Sequence, residues 1–138
     1  MKYFFDTNVI SDFARNKESA IKKVQELASK EDSEFYINRL VYLESLRAIP
    51  LDRKKLYDDV NETLDKFTKL DITQEVYDTS VKFSRFCRSK GITLKKCEAI
   101  DYLHFITAKH YEMEIISDDG DMAKLESKYD EFKESINA

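Results

Sequence analysis

Two periods of apolar residues run through the chain. Short apolar stretches bounded by polar residues, Tyr3 to Phe5, Glu34 to Ile37, Lys69 to Ile72 and Glu114 to Ser117, have the length of strands, the first of them a buried one. Between them apolar positions recur at helical spacing. Val9, Ile10 and Phe13 follow the first strand, with Thr7 or Asn8 as the helix cap, and Ala20, Ile21, Val24, Leu27 and Ala28 mark a second helical face. Asn38 caps a third helix carrying Leu40, Val41, Leu43 and Leu46, which ends near Pro50. Leu56, Val60, Leu64 and Phe67 place a helix over residues 52–66. Thr73 opens a long helix whose buried face is Val76, Tyr77, Ser80, Phe83, Ser84 and Cys87, and Gly91 ends it. Residues 97–111 form a helix apolar on most sides, therefore a buried one. Residues 121–128 read as helix, and 129–138 carry no assignable pattern.

Strands alternating with helices predict an α/β fold, a three-layer α/β/α arrangement around a mostly parallel sheet, with residues 1–138 as one domain. Two glycines and one proline in 138 residues leave few turn residues, which favours a helix-rich chain. In a parallel sheet the C-terminal ends of the strands and the N-termini of the following helices share one edge, where ligands bind.

That edge collects carboxylates. Asp6 ends the first strand, and Asp118, Asp119 and Asp121 follow the last. Asp101 lies in the first turns of the helix entering that strand, and Glu44 in the second turn of the helix after strand two. Each has a plain alternative. Asp6 and Asp101 could be helix caps, Asp119-Gly120 a turn, and Glu44 a solvated residue. Their joint placement at one edge is what points to chemistry. Two carboxylates 4 Å apart repel by about 4 kcal/mol at an effective dielectric of 20, a cost that a divalent ion turns into binding energy. Oxygen ligands without a cysteine or histidine pattern select Mg²⁺ or Mn²⁺. Such a site suits phosphodiester hydrolysis and needs no covalent nucleophile.

The segments Phe5-Asp6-Thr7-Asn8-Val9-Ile10, Leu43-Glu44, Ala99-Ile100-Asp101-Tyr102-Leu103-His104 and Ile115-Ile116-Ser117-Asp118-Asp119-Gly120-Asp121-Met122 resemble, in order and spacing, those of a PIN domain, specifically a VapC-type toxin of a toxin–antitoxin pair. The resemblance implies a metal-dependent endoribonuclease with Asp6, Glu44, Asp101 and Asp119 as acidic metal ligands. It implies that Ser117 holds a metal-bound water or the Asp119 carboxylate, and that Thr7 and Asn8 shape the loop around the first carboxylate. It further implies an RNA substrate, a cognate antitoxin and a homodimer. Met122 stands where the family usually has phenylalanine.

The rest of the composition narrows the field. A net charge of −4 does not mark a strongly basic nucleic-acid binder, so RNA contact would fall to local groups such as Arg85, Arg88, Lys90, Lys95 and Lys96. Arg53-Lys54-Lys55 reads as a solvent-facing helix start, and His104 as a packed core residue. Cys87 and Cys97 form no metal pattern and read as free thiols of a reducing compartment. No signal peptide and no apolar run of roughly 18 residues is visible, so the expectation is a cytoplasmic protein away from membranes. Two rival readings are a haloacid-dehalogenase-type phosphatase, which would need an Asp where Asn8 stands, and a non-catalytic PIN-like scaffold that binds RNA or a partner.

Overall fold

The computed structural model describes residues 1–94, 98–118 and 120–137. They form two compact units. One comprises Met1–Asp71 with Glu112–Asp118; the other comprises Ile72–Tyr111 with the C-terminal helix.

The first unit holds the sheet. Its strands are β1 (Lys2–Phe5), β2 (Glu34–Asn38), β3 (Thr68–Leu70) and β4 (Glu114–Ile116), in the order β3-β2-β1-β4. Every ladder is parallel, and Phe5 lies opposite Ile116. Tyr3, Phe4 and Phe5 are all buried, which is why the central strand reads as a continuous apolar run. The order reverses at β1: the chain steps outward through β2 and β3, then returns to β1's other side as β4. The crevice of a parallel sheet lies at such a reversal. Four helices belong to this unit: α1 (Thr7–Ala14), α2 (Glu18–Ala28), α3 (Arg39–Arg47) and α4 (Lys54–Asp65). α1 packs on α2, α3 and α4. Phe5, Phe35 and Phe67 form a ring cluster, with centroids 5.3 Å apart for Phe5–Phe35 and 5.4 Å for Phe5–Phe67.

Asp6 itself caps α1, its Oδ1 accepting the Val9 N–H at 3.2 Å, in place of the Thr7 or Asn8 cap expected from sequence. The strand ends one residue earlier than any hydroxyl or amide, so the first capping side chain after it takes the position. Asn38 caps α3 as expected, accepting from the Val41 N–H at 2.9 Å.

The second unit is helical among its described residues: α5 (Gln74–Ser89), α6 (Glu98–His110) and α7 (Gly120–Asn137). Gly91, at φ +77°, closes α5 in a Schellman turn, with Ile92 N–H donating to Cys87 O and Gly91 N–H to Arg88 O. Cys97, placed in α6 by its pattern, lies outside the described residues. Tyr102 to Ala108 are buried without interruption, as an all-round apolar helix requires. Phe83 organises this core, its ring 5.5 Å from Phe105, 5.7 Å from Tyr102, 5.8 Å from Tyr129 and 5.0 Å from Phe132. Burial pushes the Cys87 thiol and the Tyr102 phenol up, so both stay neutral inside it. Tyr77 departs from expectation: it and Val81 face solvent, and the buried face is Val76, Ser80, Phe83 and Cys87. Residues 129–137, unassigned from the pattern, continue α7, because Leu125 and Phe132 bury one side of it. Among the described residues no helix is long and apolar enough to cross a membrane.

Phe132→Ala should cost about 3 kcal/mol of unfolding free energy, the scale of a buried phenylalanine truncation. Ile136→Ala, at a residue 56% exposed on the same helix, should stay within about 0.5 kcal/mol. Urea midpoints of the two variants check the docking of this helix.

Candidate active site

At the reversal point the β1–β4 ladder sets two strand ends side by side. Asp6 N–H donates to Ile116 O at 3.1 Å, extending the ladder by one residue. The side chains then meet: Ser117 Oγ donates to Asp6 Oδ2 at 2.5 Å. Asp6 is only 4% exposed, so its carboxylate is held largely out of water. Three features make that tolerable: the short charge-assisted bond from Ser117, the Val9 N–H, and the positive end of α1.

Thr7, the next residue, reaches the other way. Its Oγ1 donates to Glu44 Oε1 at 2.6 Å, tying the start of α1 to α3 across 37 sequence positions. Glu44 and Thr7 are half-buried, and Asn8 is exposed in the first turn of α1. Two acids from separate elements are thus each fixed by a hydroxyl at the C-terminal edge of the sheet. The donors here are all hard oxygens, a set that fits Mg²⁺ or Mn²⁺ and not a thiophilic metal. Among the described residues no group of three histidine, cysteine or carboxylate side chains is assembled as a cage. Asp119 lies outside the described residues.

Each remaining described candidate is placed within its own unit. Asp118 is exposed and paired with Lys23 Nζ at 2.9 Å, and Asp71, after β3, is paired with Arg39 at 3.2 Å. Asp101 lies half-buried in the first turn of α6, in the second unit. Asp121, 2% exposed in the first turn of α7, accepts from Lys124 Nζ at 3.2 Å. His104 is buried within α6. Of the basic candidates, Arg88 pairs with Glu98 and Lys90 with Glu131, while Arg85 is exposed. Bonds from Lys128 and Lys90 hold the Glu131 carboxyl below the usual range. Lys95 and Lys96 lie outside the described residues. Sequence reasoning did not foresee either the Thr7–Glu44 or the Ser117–Asp6 bond. The only signal was a hydroxyl residue beside each strand end.

The PIN domain model matches residues 3–128, and the chain belongs to that family. Among solved structures it is similar to VapBC2 from Rickettsia felis, crystallised with a DNA fragment of its promoter. The TM-score is 0.76 at 13% identity, covering 91% of this chain and 93% of that one. It is also similar to FitAcB from Neisseria gonorrhoeae, with a TM-score of 0.72 at 19% identity over 90% and 93% of the two chains. A toxin–antitoxin complex from Klebsiella pneumoniae gives 0.64 at 17% identity over 85% and 86%. Comparison with curated proteins gives no match.

Asp6 is both cap and buried acid, so its variants should separate the two roles. Asp6→Asn keeps a capping oxygen and should leave stability within about 1 kcal/mol, whereas Asp6→Ala should lose about 1–2 kcal/mol. Thermal or urea unfolding of the pair checks this.

Proposed function

We propose that this chain is a divalent-metal-dependent endoribonuclease and the toxin of a toxin–antitoxin pair. The observation that carries the reading is the buried Asp6 carboxylate at the sheet's reversal point, fixed by Ser117 and adjoining the Thr7–Glu44 pair. Family membership supports it, and so does a structural neighbour that is itself a toxin–antitoxin complex. Asp6, Glu44, Asp101 and Asp119 are the proposed ligands, the last two on the strength of the sequence motifs. Bound Mg²⁺ or Mn²⁺ supplies a water of lowered pKa and neutralises phosphate charge. The residues of the chain hold that arrangement. Ser117 keeps Asp6 in one rotamer, Thr7 keeps Glu44 in one, and the β1–β4 ladder keeps their backbones in register. Membership of the PIN family sets the phosphatase reading aside. The non-catalytic scaffold is the reading that remains to be separated.

An antitoxin partner, a homodimer and a cytoplasmic location belong to the same proposal. Leu46, Ile49, Pro50, Leu51 and Tyr57 border a 480 Å³ groove beside α4, with Leu51 and Tyr57 exposed, an apolar surface of the kind a partner segment covers. In the second unit, Tyr77, Val81, Ala99 and Ile100 line a smaller cavity of 230 Å³ with Tyr77 and Val81 exposed, which suits pairing with a second copy.

Purified protein incubated with a pool of structured cellular RNAs should cut in Mg²⁺ or Mn²⁺ and not in chelator. Asp6→Asn and Glu44→Gln should each lower the rate on the order of 10²–10³-fold, the scale for loss of one group that stabilises developing charge. Folded protein that leaves every RNA intact under all metal conditions would favour the scaffold.

A further inference from the structure

We propose that Thr7 is the positioning residue for Glu44, a role distinct from shaping the loop around its neighbour Asp6. The inference rests on the nuclease reading above and adds a part to it.

Glu44 needs such a residue. A glutamate carboxylate ends a side chain with three rotatable bonds, and holding it at a fixed point on a half-buried helix face opposes that rotamer freedom. Thr7 is suited to do so. Its χ1 is stiff because it is β-branched. Its backbone is fixed on both sides, since Asp6 before it is locked to Ile116 by the ladder and to Val9 by the cap. At 2.6 Å, the bond from Thr7 Oγ1 to Glu44 Oε1 has the length of a charge-assisted contact. Glu44 on α3 therefore takes its position from the end of β1, where Asp6 stands.

The kind of donor matters too. Asp118 and Asp71 are held by Lys23 and Arg39, which bring charge with the bond. Thr7 brings a proton donor and no charge. It orients the carboxylate without adding a positive charge of its own. Ser117 does the same for Asp6, so each of the two acids accepts a bond from a neutral hydroxyl.

The test uses the full chain and three proteins: wild type, Thr7→Val, which keeps the shape and removes the hydroxyl, and Thr7→Ser, which restores it. Mn²⁺ affinity of metal-free protein is read by electron paramagnetic resonance or calorimetry, beside kcat and KM for RNA cleavage. Thr7→Val should bind Mn²⁺ about tenfold more weakly, within the 10–100-fold scale seen when a group supporting a metal ligand is lost. Its kcat at limiting Mn²⁺ should fall in step and recover as Mn²⁺ is raised, with KM unchanged. Thr7→Ser should return both readouts to near wild type. A Thr7→Val protein matching wild type in Mn²⁺ affinity and kcat would overturn the assignment, as would a folded Thr7→Ser protein as impaired as Thr7→Val. Wild type that binds Mn²⁺ but cuts no RNA would overturn the nuclease reading alone, with the affinities of the variants still deciding the role of Thr7.

Discussion

The parallel pairing of β1 with β4, in the register that sets Phe5 opposite Ile116, brings residues 111 positions apart to adjacent strand ends. Side chains on a strand alternate faces, so a slip of one residue would turn Ser117 away from Asp6. The register is held by burial: Tyr3, Phe4, Phe5 and Ile116 are all nearly inaccessible to solvent. Core packing in the first unit and site geometry are therefore one constraint, and Asp6 joins them by serving as ladder end, helix cap and buried acid at once.

Several carboxylates here take a basic partner, as Asp12, Asp59, Asp71 and Asp118 do. Such surface pairs contribute little to stability, typically under about 1 kcal/mol each. Asp6 and Glu44 receive hydroxyl donors at 2.5 and 2.6 Å. Concentrating negative charge at a sheet edge is unfavourable for folding and useful for holding a cation, and sites of function are where such local costs are retained.

Much of this was legible in the sequence. The apolar runs located all four strands, with the third read as Lys69 to Ile72 and observed as Thr68–Leu70; only β1 is the continuous buried run that a strand covered on both faces requires. Asn38, Thr73 and Gly91 marked helix ends correctly because capping chemistry is local. Asp6, Thr7 and Asn8 are three capping residues in a row, and only the exact end of β1 decides among them. The end of α7 was obscured because its apolar residues, Tyr129 and Phe132, are diluted by acids and lysines. Their burial against Phe83 comes from tertiary packing. The Tyr77 misreading has the same origin, since a helical face drawn from spacing alone is wider than the face that packs. The pairing of each acid with its hydroxyl could not be read at all, because it depends on which strand ends become neighbours. The family motif implied a metal-bound water or the Asp119 carboxylate for Ser117 and the loop around Asp6 for Thr7, and named neither the Ser117–Asp6 nor the Thr7–Glu44 bond.

The most direct test of the central claim is a crystal structure grown with Mn²⁺, with anomalous scattering to locate the metal. The account predicts a peak within ligation distance of carboxylate oxygens of both Asp6 and Glu44, with the Thr7 and Ser117 hydroxyl bonds retained. A metal bound away from these two residues, in protein that cleaves RNA only when Mn²⁺ is present, would contradict it.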